Sequence, residues 1–245
     1  MSLNTNAYYE IGSYHQVCED YALSGMYQDM AYAIVSDGCS SSENSDVGAR
    51  LIAHIAKGVI IYLKDKNAIG VPGFHDVFKE LMVKKGIEVK NSLGLSSEAF
   101  DATLLVNIVF DNKIYSIAWG DGYIIYKTKE SKHIIYDISF SSGAPYYLSY
   151  EMSPTKKQQY MMEFGEGTIT IKNSILSADG NFERTTINKI IAESLYKEAY
   201  APSMSFATVS SDGLGNYEDD PKVYREDGTE KKSYKAIELI HQVMG

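Results

Sequence analysis

The chain is 245 residues long, with 23 Lys and Arg against 32 Asp and Glu, for a formal net charge of −9 at pH 7. Hydrophobic residues make up 44% of it, charged residues 22% and aromatics 12%, a globular profile that excludes a disordered or collagen-like chain and suffices for a sizeable core. Short basic pieces such as Lys127-Thr128-Lys129 and Lys231-Lys232 do not add up to a patch, which speaks against nucleic acid as the main partner.

No apolar stretch approaches the ~18 residues of a membrane span, so no membrane partner is expected. The N-terminus has neither the basic nor the apolar region of a secretory signal. Two cysteines, Cys18 and Cys39, make no disulfide framework, and the setting they suggest is a reducing cytoplasm.

Residues 30–35 form an apolar run ended by Ser-Asp-Gly, which reads as a buried strand entering a turn. A Ser- and Asn-rich loop covers 39–46. Leu51, Ile52, Ile55, Val59 and Ile60 then fall at helical spacing within 47–63, with Ser45 or Asp46 as N-cap. A second helix over 74–89 is carried by Val77, Phe78, Leu81 and Met82. Three segments rich in Val, Ile, Tyr and Thr follow, at 100–110, 114–119 and 123–127. Asp111-Asn112 and Gly120-Asp121-Gly122 separate them, which predicts an antiparallel meander.

Further strands are expected at 133–138 and 168–171. The stretch 141–201 is the least regular and offers one helix near 187–196. Residues 204–210 form another apolar strand ended by Ser-Asp-Gly, and 234–243 reads as a last helix. Strands in antiparallel runs with helices in pairs give an α+β class.

Asp-Gly occurs five times, and turn chemistry explains most such pairs. The pairs at Asp37 and Asp212 differ, because each ends a strongly apolar strand and leads toward a helix. A carboxylate at the end of a buried strand is held by a rigid element, and the Gly after it lets the backbone approach a ligand closely. Two such carboxylates suit one hard cation such as Mg²⁺ or Mn²⁺. Glu19 and Asp20 add a third acidic element, with His15 four residues before Glu19.

In chain order, His15-x-x-Cys18-Glu19-Asp20, Ser36-Asp37-Gly38, Asp101-Ala102-Thr103, Gly120-Asp121-Gly122 and Ser211-Asp212-Gly213 resemble the motif set of protein phosphatase 2C, the metal-dependent serine/threonine phosphatases. The resemblance runs from about His15 to the end of the chain. It implies a four-layer α-β-β-α sandwich of two antiparallel sheets with a two-metal site at one edge. Glu19, Asp37 and the Gly38 carbonyl would hold one Mn²⁺ or Mg²⁺, Asp37 and Asp212 the other, with Asp20 adjacent. Asp121 matches an aspartate that joins a more weakly bound third ion. Thr103 matches a small hydroxyl residue of the central strand, with a structural role. The substrate would be a phosphorylated protein, and a kinase or other signalling protein a partner.

The chain departs from the family pattern in four places. His15 stands where many members carry a phosphate-binding Arg, and is a candidate to hydrogen-bond phosphate or protonate a leaving alkoxide; with Asp37 it makes the catalytic pair. Tyr123 stands where Arg follows the Gly-Asp motif, and Asn216 replaces an Asp, which argues against the third ion. A final strand bearing one more metal-binding Asp is not matched, so the expected unit is a single 2C-type domain over 1–245 without that strand. These departures keep open a pseudophosphatase, a binding module with impaired turnover; a metal-free acidic interaction domain is a third reading. Cys18 and Cys39 both flank the predicted ligands. Small buried thiols are the plain reading, and proximity that lets oxidation disturb the site is the sharper one.

Overall fold

A computed structural model describes residues 3–11, 17–165, 168–177, 182–190 and 194–216. β1 (Asp20–Tyr27) and β2 (Met30–Asp37) form a hairpin and lead into α1 (Ser45–Asp65) and α2 (Phe74–Leu93). β3 (Leu104–Phe110), β4 (Lys113–Trp119), β5 (Gly122–Thr128) and β6 (His133–Phe140) follow. Two short helices, α3 (Leu148–Met152) and α4 (Pro154–Phe164), precede β7 (Thr168–Leu176), β8 (Phe182–Ile190), β9 (Leu195–Tyr200) and β10 (Met204–Ser210). The strands form two antiparallel five-stranded sheets, ordered β1-β2-β3-β4-β9 and β10-β5-β6-β7-β8. The α+β sandwich expected from the sequence is therefore present. Among the described residues no helix is long and apolar enough to cross a membrane.

Two cores hold the layers together. Side-chain alternation on β3 sends Leu104, Val106 and Ile108 toward Ile52, Ala56, Ile60 and Phe78 of the two long helices. Leu105 points the other way, into the space between the sheets, with Ile124, Tyr126, Ile138 and Ile171. A strand buried on both faces reads as a nearly continuous apolar run, and Leu104–Phe110 is one. Its single polar residue, Asn107, is bonded by Ser116, whose hydroxyl also lies 2.6 Å from the Tyr126 hydroxyl across the sheet interface. At Gly48 an added Cβ would lie 1.5 Å from the Ala99 carbonyl oxygen, so only glycine lets α1 settle against the turn that leads into β3.

Several sequence expectations change. The N-cap of α1 is Asn44, in the left-handed conformation at φ 59°, and neither Ser45 nor Asp46 caps it; Ser45 is already helical and buried. Asn tolerates that conformation, which turns the chain sharply out of the loop. α2 extends past 89 to Leu93 and stops at Gly94, φ 65°.

The expected meander is half right. Asp111 and Asn112, at φ 49° and 59°, close the β3–β4 hairpin. Gly120-Asp121-Gly122 does not close a second one. β4 pairs with β9 and β5 with β6 and β10, so this tripeptide carries the chain from one sheet to the other.

The helix expected near 187–196 is not found among the described residues: 187–190 belong to β8, and Leu195 and Tyr196 to β9. Pairing with β7 and β4 over whole strands outweighs a weak helical period. The helix expected over 234–243 lies outside the described residues.

Candidate metal centre

The register of the first hairpin creates the site. Asp20 opens β1, Asp37 closes β2, and the two are paired directly opposite each other at the open end of the ladder. Opposed residues of an antiparallel pair have Cβ atoms about 4.5–5.5 Å apart, and like charges there repel. The backbone leaves Asp37 no freedom to move away. Its N–H donates to Thr103 Oγ1 at 2.9 Å, and its carbonyl accepts the Thr103 N–H at 2.8 Å. Ser36 Oγ donates to the Thr103 carbonyl at 2.6 Å. The Gly38 N–H donates to the Glu19 carbonyl at 3.2 Å, tying the two acidic motifs together. A Cβ at Gly38 would meet the Ser45 carbonyl oxygen at 2.7 Å, so the helix can follow this closely only behind a glycine.

Asp121 and Asp212 reach the same lip from the second sheet. Gly120 and Gly122 have φ 84° and 129°, and a Cβ on Gly122 would lie 2.5 Å from the Ser210 carbonyl oxygen. That close approach brings the start of β5 against the end of β10. Asp212 begins the short 3₁₀ turn Asp212–Asn216 and is exposed.

The result is an open cleft of about 980 Å³, lined by Glu10, Glu19, Asp20, Asp37, Asp121 and Asp212, together with the Gly38 backbone. No Lys, Arg or His is among its described lining residues. Burial first, then the charges of Asp20 and Asp212, then a hydrogen bond that the protonated Asp37 carboxyl donates to Asp212, push Asp37 up to about 8. Burial and the Asp212 charge push Asp121 up to about 6.

Among the described residues no three His, Cys, Asp or Glu side chains close on one point as a finished cage. The donor set nevertheless fits a hard divalent cation: every donor is oxygen, and the carboxylates repel one another. His15 lies outside the described residues.

Crowded acids make the metal-free protein sensitive to pH in a definite direction. An Asp that titrates near 3.8 when unfolded and near 8 when folded is protonated in the native state at pH values where the unfolded chain is ionised. Stability contributed this way is full below about pH 4 and is lost as pH rises through 8. In a chelator, thermal melts should therefore give a lower Tm at pH 8.5 than at pH 6, and Mn²⁺ should narrow the gap.

The two cysteines are free and half-buried, and both line the cleft. Cys18 Sγ lies 3.5 Å from the Asp20 carbonyl and Cys39 Sγ 3.1 Å from Ser41 Oγ. Burial, then the Asp20 charge, raises the Cys18 thiol above its ordinary range. Burial also pushes Cys39 up, but hydrogen bonds from Ser41, Ser42 and Tyr147 outweigh it and leave the thiol below its ordinary range.

Two cleft residues escaped the sequence reading. Glu10 carries no motif, and Tyr147 sits in the stretch that had no clear period. The same holds for Lys156, whose partner Asp101 is 55 residues away.

Comparison with known proteins gives a consistent picture. A family model described as protein phosphatase 2C matches residues 13–220. No curated protein sequence matches the chain. Among solved structures, a point-mutated bacterial serine phosphatase is similar at a TM-score of 0.56 and 10% identity, over 100% of this chain and 90% of that one. The serine/threonine phosphatase Stp1 of Staphylococcus aureus is similar at 0.50 and 13%, over 100% and 89%. At such identities the likeness to these structures is one of fold.

Proposed function

Since the chain belongs to the protein phosphatase 2C family, we propose that it hydrolyses phosphoserine and phosphothreonine monoesters in proteins, with two Mn²⁺ or Mg²⁺ ions in the acidic cleft. The observation that supports this most is the meeting of carboxylates from four separate stretches of chain, at 19–20, 37, 121 and 212, around one opening. Glu19, Asp37 and the Gly38 carbonyl hold one ion, and Asp37 and Asp212 the other. Asp20 adds negative charge directly opposite Asp37; Asp121 would join a third, weaker ion, against which Asn216 argues. When bound, the ions supply a nucleophile at neutral pH and screen the phosphoryl oxygens.

The protein's own part is positional. Thr103 locks the Asp37 backbone, and Gly38 brings a carbonyl to the lip. His15 is the candidate hydrogen-bond donor to the phosphate or the leaving alkoxide. The unit that does this is the single 2C-type domain over 1–245.

Hydrolysis of p-nitrophenyl phosphate tests the reading. Turnover should appear with Mn²⁺ and vanish with chelator, and a phosphothreonine peptide should behave likewise. Binding of the phosphopeptide without turnover, in the presence of Mn²⁺, would select the pseudophosphatase instead, the reading that His15 and Asn216 favour.

A further inference from the structure

Asp101 is a nearly buried carboxylate that the proposed chemistry does not use, and it joins three parts of the molecule. Its side chain is 8% exposed and that of Lys156, on α4, is 16%. Lys156 Nζ donates to both carboxylate oxygens, at 2.5 and 2.6 Å. Ser149 Oγ on α3 donates to Oδ1 at 2.5 Å, and Ser42 Oγ from the loop after Gly38 donates to Oδ2 at 3.0 Å. The Asp101 carbonyl accepts the Cys39 N–H at 2.8 Å. Tyr147, which precedes α3, lines the same cleft as Cys39, and the two side chains interact. Glu151 on α3 ties the same helical pair to α2 through Lys79 at 3.1 Å and to α4 through Lys157 at 3.0 Å.

We propose that Asp101 and Lys156 form a latch that holds the α3–α4 segment against the 39–42 loop, making Asp101 a positioning residue for the substrate side of the cleft. The loop continues directly from Asp37 and Gly38, so the latch sets where the Tyr147 wall stands relative to the acids. A charged hub with donors from Ser42, Ser149 and Lys156 defines that position in a way that apolar packing alone does not. Only the kinetic consequence depends on the phosphatase reading; the latch itself does not.

Alkylation of Cys39 by iodoacetamide, in a Cys18→Ser background, reads the latch without any turnover. The double variant D101N/K156M removes both charges together and leaves neither buried alone. It should react on the order of tenfold faster than its parent, as hydrogen bonds to a charged group are lost and the loop opens. K156R keeps the charge and should react at the parent rate. Ser42→Ala, compared with its parent at a pH that fully ionises Cys39, cuts the link from loop to carboxylate at a half-buried site; it also removes a hydrogen bond that lowers the Cys39 thiol pKa, which at that pH no longer affects labelling. It should speed labelling about threefold, and it answers the question if the double variant does not fold. With Mn²⁺ present, KM for a phosphopeptide should rise by a larger factor than kcat falls. Parent labelling rates in Ser42→Ala and in the folded double variant would overturn the proposal. Faster labelling in a chain without turnover would uphold the latch and count against the phosphatase reading instead.

Discussion

Asp37→Ala should abolish Mn²⁺-dependent phosphoester hydrolysis while leaving the metal-free fold intact or more stable. The loss should be at least on the order of 100-fold, since that much follows when even an outer partner of a metal ligand is removed. The fold should survive because the anchors at this position are backbone groups. The residue 37 N–H and carbonyl both engage Thr103, and neither depends on the carboxylate. Stability should hold or rise because the substitution removes a carboxyl paired opposite Asp20 and pushed up to about 8 by burial and neighbouring acids. Parallel assays and melts in chelator check both halves. Activity and apo stability falling together would mean that Asp37 serves the fold rather than the cleft.

Lys156→Met should be strongly damaging although it lies outside the acids. It leaves the Asp101 carboxylate buried, with only Ser42, Ser149 and no cation to offset its charge. Breaking a buried pair in this way costs about 3–5 kcal/mol. For a chain of this size each kcal/mol is worth about 2–4 °C, so the Tm should fall on the order of 10 °C. The double variant D101N/K156M should recover most of that loss. A single variant melting within a degree or two of wild type would show the pair to be well solvated.

Most of the fold was legible because its signals are local. Apolar runs at β2, β3 and β10 and the helical spacing of Leu51 to Ile60 sit within single elements. What failed depended on distant partners. Gly120-Asp121-Gly122 has turn composition, but whether β4 turns back on β5 depends on β9, which arrives some 75 residues later and takes the place beside β4. Ile187, Ile190, Ile191 and Leu195 fall at helical spacing, but ladders to β7 and β4 set the conformation of 187–190 and of Leu195 and Tyr196.

The acids of the cleft were legible for another reason. Ser-Asp-Gly at two strand ends marks carboxylates on rigid supports, and the register of β1 against β2 then sets Asp20 opposite Asp37. The Asp101–Lys156 pair left no such mark: Asp101 lies in a motif, but nothing near Lys156 distinguishes it from a surface charge or points to a partner 55 residues away.

Calorimetric titration of chelator-stripped protein with Mn²⁺ reaches the heart of the account. The full chain should take up two ions, and Asp37→Ala and Asp212→Ala should each lose at least one. Absence of Mn²⁺ uptake, or uptake identical in all three proteins, would mean that these carboxylates do not form a metal centre.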